Sequence, residues 1–153
     1  MSFGQPLIIP RPIHHIHSLS KIDYGDQFSI SANTSRTAEQ WMRTIFGEVP
    51  NLRHKFIWQG LLGFTLDPSR SPDVIAGNRI TGRGHDWIRV ENSSKLLSAN
   101  IICKASMDEV SVITLVQYNH WFAKWWWPLL AVIHRKIVPK LLRQAVNRDR
   151  RAQ

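Results

Sequence analysis

Hydrophobic and polar positions along the chain follow two different periods. Towards the C-terminus, Ala123, Trp127, Leu130, His134, Ile137, Val138, Leu141 and Ala145 share one face of a helical wheel. Lys136, Lys140, Arg143 and Asn147 gather on the opposite face. This spacing predicts one long helix over 119–151, with Asn119 as its N-cap. The cations near its C-terminal end suit the helix dipole. Pro128 and Pro139 predict a kink or a restart, because an interior proline removes a donor and costs about 3 kcal/mol.

Upstream, the period falls to two. Ile22, Tyr24, Phe28 and Ile30 alternate with Asp23, Gly25, Gln27 and Ser29, the pattern of a half-buried strand. Thr37 and Gln40 form a capping box that opens a helix running to about Phe46, stopped by Gly47 and Pro50. Asn51 is placed to cap a second short helix ending at Gly63. A loop over 64–72 follows. Further strands are predicted near 74–81, 85–91, 95–105 and 110–118, joined by short turns that imply an antiparallel meander. The strand with Trp87, Ile88 and Val90 is partly apolar on both faces, and so is LLSANIICKA.

The order of elements is strand, two helices, antiparallel strands and a long terminal helix. It predicts an α+β fold in which the sheet wraps around that helix. The 153 residues suit a single domain over 21–147, between an extended, poorly structured arm at 1–20 and a basic tail at 148–153. Pro6, Pro10 and Pro12 disfavour helix in the arm. His14, His15 and His17 lack the spaced Cys or carboxylate partners of a metal site, so no metal and no cofactor is expected. The lone Cys103 excludes an internal disulfide framework, and the N-terminus lacks a secretory core. Both point to the cytosol.

Charge adds a second theme. The net charge is +9, and seven Lys or Arg fall between Arg135 and Arg151 against one acid, Asp149. No nucleic-acid-binding motif accompanies this charge, so nucleic acid is not an expected partner. The uncharged run Trp125 to Ile133 is too short to span a bilayer. Trp125, Leu129 and Val132 nonetheless project to the side of Lys136 and Lys140. With Trp126, they form a surface suited to an anionic membrane, to the protein's own loops or to a second copy of the chain.

Catalytic signatures are absent: there is no Ser-His-Asp arrangement, nucleophile elbow, phosphate loop or dinucleotide fingerprint. Cys103, in an apolar strand, reads as a packed residue rather than a nucleophile.

The chain resembles the helix-grip (START-like, SRPBCC, polyketide cyclase-like) superfamily, and within it the bacterial branch called domain of unknown function 2867. The resemblance covers roughly 22–145. It rests on the element order, the segment with Trp41, Phe46 and Pro50, the Leu62-Gly63-Phe64 turn, Asn119, His134-Arg135, Ile137-Val138 and Leu142-Arg143. The Trp125–Trp127 triple and the N-terminal arm have no counterpart in it.

The resemblance implies an apolar cavity between sheet and terminal helix, holding a lipid-, sterol- or polyketide-like molecule. His134 would face this cavity, with Trp127, Leu130 and Val138 around it. Trp87 would wall it and Arg89 would meet a carboxylate, provided that their strand face is the concave one. Seven Trp and six Phe could equally fill such a space. The superfamily includes both binders and enzymes. The first reading is therefore a binding module, with a membrane- or partner-docking protein and a cyclase- or dehydratase-like enzyme as the alternatives.

Overall fold

A computed structural model describes residues 16–32, 35–52 and 55–152. Strand β1 (Tyr24–Ser31) leads to helix α1 (Ala38–Phe46) and a π-helix (Lys55–Leu61). Strands β2 (Val74–Ile75), β3 (Asn78–Arg83), β4 (Trp87–Ser93), β5 (Leu97–Ala105) and β6 (Glu109–Tyr118) follow, and helix α2 (Ala123–Ala152) ends the chain. The strands form one antiparallel open sheet in the order β1-β6-β5-β4-β3-β2. The α+β class and the long C-terminal helix are as expected.

Local chemistry accounts for the boundaries. Thr37 accepts the Gln40 amide, while the Gln40 side chain accepts the Thr37 amide, which closes the capping box at the start of α1. Gly47, at φ 87°, ends that helix by donating to Arg43 O. The β2–β3 hairpin turns through Ala76 and Gly77, both at positive φ. A Cβ on Gly77 would meet Leu66 Cβ at 2.8 Å.

Several expectations change. The strand expected at 74–81 is a hairpin of β2 and β3. The second short helix is a π-helix with no buried residue. Asn119 does not cap α2: its side-chain amide donates to Ser94 O and Ser98 Oγ, which ties down the β4–β5 turn. The helix starts at Ala123, after a turn in which His120 Nδ1 accepts the Phe122 amide, and it runs unbroken through Pro128 and Pro139.

The core occupies the sheet face under α2. Phe28, Val112, Cys103 and Ile88 pack with Val138, Leu142 and α1; further along, Leu97 and Val116 pack with Trp127 and Leu130. The opposite sheet face is covered in part by Ile16, Leu19 and Ile22, which meet Ile102, Ile113, Leu115 and Trp87. Ser18 donates its amide to Asn100. The end of the predicted arm thus packs on the sheet, while 1–15, with His14 and His15, lie outside the described residues. His17 Nδ1 accepts the Leu19 amide.

Candidate functional site

β1 brings Tyr24, Asp26 and Phe28 to the face under α2, because alternate residues of a strand share a side. Phe28 enters the core. Asp26, at 1% exposure, is a fully buried carboxyl group. Its Oδ2 accepts the Tyr24 hydroxyl at 2.5 Å, and Arg135 Nε donates to the same hydroxyl at 3.1 Å. The Arg135 guanidinium also lies over the Tyr24 ring. Burial, and then the bond to Asp26, push the Tyr24 phenol well above its ordinary range, outweighing Arg135. Tyr24 is therefore a neutral donor.

His134 reaches the same oxygen from α2. Its Nε2 lies 3.2 Å from Asp26 Oδ2, close enough for an ion pair but without hydrogen-bond alignment. Trp127, two helical turns earlier, stands 5.6 Å from the His134 ring and edge-on to Tyr24 at 5.3 Å. Thr114 of β6 is directly opposite Asp26 in the ladder and is buried. Among the described residues, Asp26 Oδ1, Thr114 Oγ1, Trp127 Nε1 and His134 Nε2 are buried and have no hydrogen-bond partner. Native interiors leave few such atoms unpaired, because each costs about 1–3 kcal/mol.

Two small hollows lie beside this cluster, with Trp58, Leu62, Ile101, Trp127 and His134 in the walls of both, while Asp26 lines neither. The inner one, about 30 Å³, is walled mainly by apolar side chains, with Thr114, Asn78, Asn92 and Glu91 among them. The outer one, about 80 Å³, is apolar and reaches half-buried Ile137 and Leu141 and exposed Ile133. Together they fall far below the roughly 300–1,000 Å³ of pockets for drug-sized ligands. A larger concavity of about 770 Å³ lies between Ser18–Ser20, the 65–68 loop and residues of β3 to β6. It is wide and open, and none of the four unpaired atoms lines it.

No family model matches the chain, and no curated protein or solved structure does. The site must be read from its own geometry. His134, Trp127, Leu130 and Val138 all line the outer hollow, as the helical wheel predicts.

Trp87 and Arg89 do not join them. They lie on the other sheet face, since Ile88 and Val90 take the core side. Arg89 is held there by bonds to Thr81 Oγ1, Thr81 O and Ile16 O. Gly82, opposite Arg89 in the ladder, leaves room for its guanidinium. Of the residues expected on the outer surface, Trp125, Lys136 and Lys140 are exposed. Trp126 is half-buried: its indole N–H donates to Leu61 O and its ring stacks on Phe122. Burial pushes the Cys103 thiol up to about 12, so it stays protonated. Among the described residues, no group of three or more His, Cys, Asp or Glu is placed to hold a metal ion.

Asp26 and Thr114 were not predicted. The signal for Asp26 was an acid at the inward position between Tyr24 and Phe28.

Proposed function

We propose that the protein is a binding module for a small, mainly apolar molecule carrying one hydrogen-bonding group. The observation that carries this reading is that two buried polar atoms with no hydrogen-bond partner among the described residues, Thr114 Oγ1 and Trp127 Nε1, belong to side chains lining one small hollow, beside the His134–Asp26 pair. Trp127 Nε1 can only donate, whereas the Thr114 hydroxyl can both donate and accept. A ligand hydroxyl, carboxyl or amide meets both kinds of partner, while its apolar body occupies the space beside Leu130 and Val138. The hollow's size favours a ligand of a few heavy atoms, or the tip of a longer one leaving between Ile133 and Leu141. The strand order and the helix across one sheet face suit a helix-grip arrangement, which supports the same reading by analogy.

The test is binding of an apolar fluorescent dye, competed by small alcohols and carboxylic acids. His134→Phe keeps the volume and removes the polar edge, so competition by the polar-headed compounds weakens at least tenfold. Unchanged competition in a folded His134→Phe protein would remove His134 from the site.

One observation favours a second reading. His134 has a carboxylate 3.2 Å away, with Tyr24 as a neutral donor on the same oxygen. This is a set that could move a proton, as a cyclase or dehydratase requires. Turnover of an enolisable or hydroxylated substrate, abolished by Asp26→Asn with folding intact, is the result that would favour it.

A further inference from the structure

Helix α2 carries an apolar stripe that the fold leaves uncovered. Trp125, Leu129 and Val132 are 66%, 65% and 53% exposed, and Trp121 and Phe122, just ahead of the helix, are exposed as well. Lone exposed apolar residues are ordinary, but a contiguous set of this size marks a contact surface. Helical spacing carries the same stripe on through Lys136, Lys140 and Arg143, all exposed. None of these three pairs with a carboxylate among the described residues. From Ala123 to Arg148 the helix holds six Lys or Arg and no acid. Asp149, the first acid reached, already meets Arg36. The platform is braced from behind, because Trp126 is bonded to Leu61 O and stacked on Phe122.

We infer that this stripe docks on an anionic lipid bilayer surface. Trp125, Leu129 and Val132 enter the boundary between headgroups and acyl chains, where an indole can be both buried and wet. Lys136, Lys140 and Arg143 then lie level with the lipid phosphates and carboxylates. The helix lies in the surface rather than crossing it, since no helix among the described residues is long and apolar enough to span a membrane. Charge decides between occupants. A second copy of the chain brings the same excess of cations, with no acidic stripe on α2 to meet them, whereas an anionic leaflet complements them along their length. Ile133 is both exposed and part of the outer hollow's wall, so docking sets the cavity mouth close to the bilayer.

The test is co-sedimentation of the full chain with phosphatidylcholine vesicles, with and without phosphatidylserine. Binding is expected only to the anionic vesicles, with a blue shift in tryptophan emission and release by added salt. Lys136→Gln and Lys140→Gln each lower the partition coefficient about fivefold. The pair Trp125→Ser with Leu129→Ser abolishes binding. Both residues are exposed, so circular dichroism and thermal unfolding should match the parent protein. The inference is overturned if the folded protein ignores anionic vesicles, or if the double variant binds them equally. It is also overturned if sedimentation equilibrium finds a stable dimer that this double variant dissociates.

Discussion

His134 Nε2, in the middle of α2, lies 3.2 Å from Asp26 Oδ2 on the edge strand β1, and the same oxygen accepts the Tyr24 hydroxyl. A polar link therefore joins α2 to β1 beside the hollows. Removing one member of a buried pair leaves the other uncompensated, whereas replacing both with apolar groups can be neutral or stabilising. Asp26→Ala is therefore expected to lower stability by about 3 kcal/mol. The double change Asp26→Leu with His134→Leu should restore most of that loss and still fail to bind ligand. Urea denaturation and dye competition on the same samples check both halves. A double variant that binds normally would make the pair purely structural.

Thr114 offers a separate test of whether the site gives up stability for function. Its hydroxyl is buried opposite Asp26 without a protein partner. Thr114→Val preserves the shape and removes the unpaired oxygen, so stability should rise by about 1 kcal/mol. Ligand affinity should fall at the same time, as expected where an unsatisfied group is retained for binding. Chemical denaturation and the dye assay read the two effects independently. A loss of stability would show that the hydroxyl is already satisfied.

Much of this architecture was legible in the sequence, and the reasons are specific. The Thr37–Gln40 box marks α1 because both reciprocal bonds are local. The stripe Trp127, Leu130, His134, Val138 is legible because a helix repeats its face over many residues. Strand faces were harder to read. Trp87 and Arg89 were assigned conditionally, since β4 is apolar on both sides. The structure supplies the cause, which is that Ile16, Leu19 and Ile22 cover the outer sheet face near Trp87. Such a strand carries no alternation to set its register. Asp26 escaped because a lone acid in a strand resembles a solvent-facing residue until its cross-strand neighbours are known. Asn119 is a good capping residue used to tie down a turn instead, a choice that only tertiary contacts make.

Alkaline pH should weaken the fold in a predictable window. Burial and the Asp26 bond raise the native Tyr24 value, burial and nearby Asp23 raise that of Tyr118, and burial raises that of Cys103 to about 12. The native state thus holds these protons longer than the unfolded chain does. Their contribution is intact below the ordinary values, about 8.5 for a thiol and about 10 for a phenol. It is lost as pH climbs through the raised native values. Phenolate absorbance should accordingly lag behind that of a denatured control, and Cys103 should resist thiol reagents until the chain unfolds. Both phenols ionising at their ordinary pH in folded protein would contradict the burial of Tyr24.

The most direct measurement is native mass spectrometry of protein purified without detergent, alongside the Asp26→Leu/His134→Leu variant. The binding account predicts a defined small adduct near one-to-one on the parent protein, extractable into organic solvent and missing from the variant. A clean protein mass from the folded parent, unchanged after incubation with small alcohols and carboxylic acids, would contradict it.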